Sequence, residues 1–182
     1  MMATKKTTKS AKSSSSVRAK KTVEKVQLFG LELSYFVIPL VILAIACLDK
    51  YFMFVGYPWV KTLQTSGISH PWAHYVLWYA SYMYTTLALV IFWDTHQRDQ
   101  KFLEVVSALG VNIFCLIGGY YLFFINHSIG GGLALFIGAF LSIDYVIYRL
   151  WSKYQLVASL LVPYAIAMLY AIYVTHSVWM LN

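Results

Sequence analysis

The chain has 182 residues, 60% of them hydrophobic and 12% charged, against roughly 45–50% apolar and about 25% charged in a soluble domain. That balance excludes a water-soluble globule, leaves lipid as the solvent for most of the surface, and fits one helical domain. The formal charge of +7 is concentrated at one end: of the 14 Lys and Arg residues, Lys5, Lys6, Lys9, Lys12, Arg18, Lys20, Lys21 and Lys25 all precede the first apolar run. A folded basic face for nucleic acid is therefore excluded.

Residues 1–25 are mainly Lys, Ser, Thr and Ala, with almost nothing to bury. Such a segment cannot offset the entropy of ordering, so a disordered basic tail is expected. The simplest reading is a cytoplasmic topogenic segment. The absence of any acid before Glu24 also suits a transit-type sequence.

Residues 26–182 then read as one transmembrane domain. Five apolar segments follow, at residues 28–47, 72–93, 103–125, 129–150 and 156–181. Each is long enough to cross a hydrocarbon core as a helix. None alternates with the period of two that a barrel strand requires. The expected fold is all-α, a five-transmembrane-helix bundle. The brief connections at residues 94–102, 126–128 and 151–155 force antiparallel neighbours. Residues 48–71 form the long connection, and long loops in compact domains are usually functional.

Charge sets the orientation. With the N-terminus inside, the eight tail charges, Arg98, Lys101, Arg149 and Lys153 face inward, and only Lys50 and Lys61 face outward. This satisfies the positive-inside rule and turns Asn182 outward. Trp72 and Trp93 bracket the second helix, and Trp151 and Trp179 the fifth, as interfacial belts do. Glu32, one turn into the first helix, reads as interfacial. Cys47 and Cys115 lie in apolar runs and make no disulfide framework.

Several motifs carry a functional and a plainer reading. Gly130, Ala134, Gly138 and Ser142 recur every four residues on the fourth helix. Such a stripe lets another backbone approach, most simply a neighbour in the same chain, alternatively a second copy in a homodimer. Asp144 is an acid inside a span, which marks a functional hypothesis; pairing with Arg149 or snorkelling is the plainer account. His70 and His74 share a helical face, but with only Asp49 as a further outer acid no metal-ligand set closes. Gly130-Gly131-Gly132 follows no strand, so no dinucleotide site is expected. Fifteen Tyr and six Trp exceed what belts use, and an aromatic-lined cavity between helices would bind a flat apolar ligand.

The fifth helix reads Leu160-Leu161-Val162-Pro163-Tyr164 and ends in Trp179 and Asn182. Trp78, Tyr82 and Trp93 form a Trp-x3-Tyr run with a closing Trp. Trp59-x3-Leu63, Pro71-Trp72 and Phe123-Phe124 complete an ordered set. This set resembles the TspO/MBR family, the tryptophan-rich sensory or translocator proteins, over roughly residues 30–182. The chain departs from the family pattern in lacking the loop's Lys-Pro and one of its two prolines. It also carries Ala167 in place of Trp, Thr175 in place of Asn, and Gly119 and Gly131 where Trp is frequent. Small residues at those places imply an enlarged or reshaped cavity.

The resemblance implies a membrane receptor or transporter, not an enzyme, for a hydrophobic flat ligand such as a tetrapyrrole or a sterol. Porphyrin or haem would enter as ligand and not as cofactor. The ligand would pass under the 48–71 loop and rest among helices one, two and five, against Trp59, Trp72, Trp78, Tyr82, Tyr164 and Tyr170. A bacterial envelope membrane and a mitochondrial outer membrane both fit. Two rival readings remain open here. One is a haem- or metal-dependent enzyme using His70, His74 or His176 with Asp144 as proton group. The other is a structural subunit of a larger membrane complex.

Overall fold

The computed structural model describes residues 27–28, 31–32, 34–64, 71–95 and 100–182. The expected tail at 1–25, His70 and Arg98 lie outside them, as do the side chains of Trp72 and His74. The chain divides between Leu33 and Ser34. In the first unit Gln27–Leu28 (β1) and Leu31–Glu32 (β2) make a two-residue antiparallel ladder. Glu32 therefore lies in an extended pair and not within the first helix.

The second unit is helical: α1 Ser34–Val60, α2 Pro71–Thr95, α3 Gln100–Tyr120 continued by a π-helical turn Tyr121–Ile125, α4 Ile129–Trp151 and α5 Gln155–Leu181. These five, among the described residues, are long and apolar enough to cross a membrane. Four spans agree with the sequence reading to within a few residues. The first differs: α1 starts six residues later and runs on through Asp49, Lys50 and Pro58 to Val60. The physical reason is that both charged side chains find partners on α2, Tyr82 for Asp49 and the Tyr75 and Tyr79 rings for Lys50, so the apolar run 51–60 continues the helix. The long connection shrinks to the stretch after Val60. Trp59 thus belongs to the last turn of α1 and not to a loop.

The packing pairs close a ring in the order α1–α2–α5–α4–α3 and back to α1. Antiparallel sequence neighbours explain α1–α2, α3–α4 and α4–α5. The π turn then lets α3 meet α1. There the Asn126 amide donates to the Tyr121 carbonyl at 3.1 Å, an i→i−5 bond that adds one residue to the turn. Phe123 turns inward, and the Phe124 backbone closes on Gly56 of α1, where a Cβ would lie 2.6 Å from the Phe124 carbonyl oxygen. Pro163 sits inside α5, which stays continuous through it.

Two side-chain pairs mark the end of the ring formed by the α1 start, α2 end, α3 start and α4 end. Tyr35 donates to Asp94, and Arg149 pairs with Glu104. At the opposite end the Asn182 side chain brackets the Gln64 backbone. It accepts from the Gln64 amide and donates to the Gln64 carbonyl, both at 3.0 Å.

Candidate functional site

The ring interior is aromatic. One face of α2 carries Trp78, Ser81, Thr85, Ala88 and Phe92, all buried, at the i, i+3, i+7 spacing of a single helical stripe. Trp78, only 2% exposed, meets Tyr120 from α3 edge-on, with ring centroids 6.5 Å apart. Tyr120 in turn stacks on Phe124 at 5.7 Å and takes Phe136 of α4 edge-on at 5.4 Å. Edge and offset arrangements suit the quadrupoles of these rings.

Polar side chains interrupt this interior at mid-helix depth. Tyr164 of α5 donates its hydroxyl to Asn112 Oδ1 of α3 at 2.8 Å. Asn112 Nδ2 donates to the Ala139 carbonyl of α4 at 2.6 Å. On the α1 side Asp49, 0% exposed, accepts from the Tyr82 hydroxyl through Oδ2. Its other oxygen, Oδ1, is buried without a hydrogen-bond partner, and so is Thr85 Oγ1. Lys50 points elsewhere: its Nζ lies 5.1 Å and 5.6 Å from the ring centroids of Tyr75 and Tyr79. The positive charge is thus held by ring faces, and the neighbouring acid keeps its own direction.

Of the six residues expected to bind ligand, the structure brings three together. Trp78 and Tyr82 lie one turn apart on α2, Tyr164 lies on the adjacent α5, and α2 packs on α5. Trp59 lies apart from them, stacked on His127 at 4.4 Å and edge-on to Phe123 at 5.4 Å, where α3 turns into α4. Tyr170 is half-buried on α5. Asn112 was not singled out by the sequence reading, and Asp49, expected there as an outer acid, lies in the interior. The available signals were an Asp49-Lys50 pair bounded on both sides by apolar runs, and an amide inside one.

At Gly119 the interior is reshaped and not enlarged. A Cβ on Gly119 would lie 2.7 Å from the Phe136 ring, so Phe136 fills the space that a ring at 119 would take. Gly131 is closed off by Ser128 and Leu122, and Ala167 and Thr175 are buried. On the α4 stripe, Gly138 faces Cys115 of α3, where a Cβ would lie 3.2 Å from Sγ. Ser142 Oγ donates to the Ala108 carbonyl at 2.6 Å. Gly130 faces the Trp179 ring, and Ala134 is exposed.

Asp144 is exposed on α4 and lines a groove of about 480 Å³ with Ile147, Tyr148, Arg149, Trp151 and Ser152. That groove contains none of the six ligand candidates. Arg149 pairs with Glu104, so it is not the partner of Asp144. His176 lies near the far end of α5, edge-on to Trp179 at 6.3 Å. The helix directions put it at the opposite end of the bundle from Asp144. No group of three or more His, Cys, Asp or Glu residues that would hold a metal ion occurs among the described residues.

A family model described as the TspO/MBR family matches residues 36–180. The match begins two residues after α1 and ends one residue before α5 does, so it covers the whole ring. No curated protein matches the chain.

Proposed function

The chain belongs to the TspO/MBR family, and from that premise we propose that it is a multi-pass membrane receptor or transporter that binds a flat hydrophobic ligand, a tetrapyrrole or a sterol, inside its helix ring. The observation that carries the reading is the convergence of Trp78 and the partly buried Tyr82 from α2, Tyr120 from the end of α3 and Tyr164 from α5 on the ring interior. Flat rings offer stacking surface as well as apolar area, and a small number of polar groups fixes orientation. No bond is made or broken in such a role.

Each stacked ring contributes roughly 0.5–1.5 kcal/mol beyond its area burial. Trp78→Ala is therefore expected to weaken binding by about tenfold or more, since 1.4 kcal/mol is one decade. Trp151→Ala, half-exposed at the end of α4, leaves binding unchanged. The measurement is Trp fluorescence of the detergent-solubilised protein titrated with a porphyrin and with a sterol.

The filled space at Gly119 favours a second reading, a membrane subunit whose interior serves packing alone. That reading gains if neither ligand binds at micromolar concentration and Trp78→Ala lowers only thermal stability.

A further inference from the structure

The interior holds an acid with no ion-pair partner among the described residues; Lys50, next to it in the chain, acts on its charge through space alone. Asp49 is fully buried in α1, and one of its oxygens accepts from Tyr82. The other has no hydrogen-bond partner. The Lys50, Tyr164 and Asn112 side chains are turned elsewhere. Lys50 is held over the rings of Tyr75 and Tyr79. Tyr164 donates to Asn112, and Asn112 donates to Ala139. Among the described residues, His, Cys, Asp and Glu do not gather into a metal site around it.

A buried carboxylate with no counter-charge in contact with it is unfavourable in a low-dielectric interior. It is relieved by a proton or by a cation brought from outside. The surroundings favour the second. Tyr82 touches the acid directly, and Tyr120 and Tyr164 lie within its electrostatic reach. Trp78 packs on Tyr120. Aromatic faces around an acid form a cage suited to an organic cation, because ring quadrupoles and the carboxylate attract the same charge. Thr85, on the same buried stripe of α2, adds a second hydroxyl without a partner.

The geometry points to Asp49 as the anchor for a protonated amine carried on an apolar, aromatic-sized body, with Asp49 Oδ1 accepting the ammonium N–H. This rests on the ring interior being the ligand site proposed above, and it names the class of ligand that site selects. It also sets an order among ligands. A tetrapyrrole dicarboxylate brings like charge toward a buried acid, so its neutral ester binds better, and an amine of similar apolar area binds better again.

The test uses the full-length protein in detergent with tritiated N,N-dimethyl-1-naphthylmethylamine at neutral pH and 1-isobutylnaphthalene, its uncharged carbon isostere. A porphyrin dicarboxylate and its dimethyl ester form a second pair. The wild type is expected to bind the amine about tenfold or more tighter than the isostere, and the ester tighter than the dicarboxylate. Asp49→Asn keeps an acceptor for Tyr82 and removes the charge, so both preferences should disappear in it. Equal affinities within each pair for the wild type overturn the assignment, and this comparison needs no variant to fold. Preferences that persist in Asp49→Asn overturn it as well. If the isostere and the ester bind without any charge preference, the ring-interior site stands and only the amine assignment falls. If no probe, porphyrin or sterol binds, both fall together.

Discussion

Tyr164 reaches across the ring from α5 to Asn112 on α3, and Asn112 passes its own donor to the Ala139 carbonyl of α4. Three helices are thereby tied through one amide. Interhelical hydrogen bonds in membranes average only about 0.6 kcal/mol, with a maximum near 1.7. Removing one partner from a buried pair falls at the upper end of such values, because the other partner is left unmet. Tyr164→Phe deletes only the hydroxyl and strands Asn112 Oδ1. A loss of roughly 1–2 kcal/mol is expected, seen as a melting temperature lower by about 2–8 °C in detergent. An unchanged melting temperature would mean that the Tyr164 hydroxyl makes no such bond. Tyr164 was legible in the sequence because the Pro163-Tyr164 pair sits in a recognisable run. Asn112 and Asp49 were not. An amide or acid within an apolar stretch gives no sign of which groups will face it, since those groups come from α2, α4 and α5. Asp49-Lys50 also looks like the end of a span. It becomes the middle of one only because Tyr82 answers the acid and two tyrosine faces answer the lysine.

At the scale of elements, α1 shows what segment lengths can and cannot give. Residues 51–60 contain Gly56 and Pro58 and are too short to span alone, so hydropathy by itself assigns them to a loop. In the structure Pro58 sits in the last turn of α1, and Gly56 is where α1 crosses the π turn. The other four spans are bounded by polar or charged residues at the helix ends, and their limits follow from length and composition. The π turn itself leaves no periodic signature, because one inserted residue shifts the face only over Tyr121–Ile125. Gly56 and Gly110 offer a paired test of this crossing. A Cβ at Gly56 would stand 2.6 Å from the Phe124 carbonyl oxygen and 2.7 Å from its Cβ, whereas one at Gly110 meets nothing within 4 Å. Gly56→Ala forces α1 and the π turn apart and is expected to lower the melting temperature by several degrees. The backbone obstacle cannot rotate away, and such overpacking costs about 1–3 kcal/mol. Gly110→Ala is expected to be neutral or to raise it slightly, since Ala is favoured over Gly in a helix by about 1 kcal/mol. Equal responses from the two variants would show that the α1 crossing is not as close as described.

For the whole molecule, the ring order and the charge pattern together predict an orientation in the membrane. Moving Lys50 into α1 leaves Lys61 as the basic residue between α1 and α2, and the α3–α4 connection and the C-terminal Asn182 add none. The opposite end of the ring carries Lys101 at the start of α3, Arg149 at the end of α4, and Lys153 between α4 and α5. Arg98 precedes α3 in the chain, and the eight basic residues of the first 25 positions precede α1. Basic residues near helix ends resist translocation, so the side that holds them is expected to stay cytoplasmic. The asymmetry is steeper than the sequence alone suggested, because one of its two apparent exceptions lies inside the bundle. An odd number of spans requires the two termini to lie on opposite sides, and the charge pattern predicts the N-terminus inside. Single cysteines placed at positions 3 and 182, after Cys47→Ala and Cys115→Ala, can be probed in sealed vesicles with a membrane-impermeant maleimide. Position 182 is expected to label from outside without permeabilisation, and position 3 only after it. Labelling of both positions from the same side would mean an even number of crossings and would end the five-span ring as the membrane form of this chain.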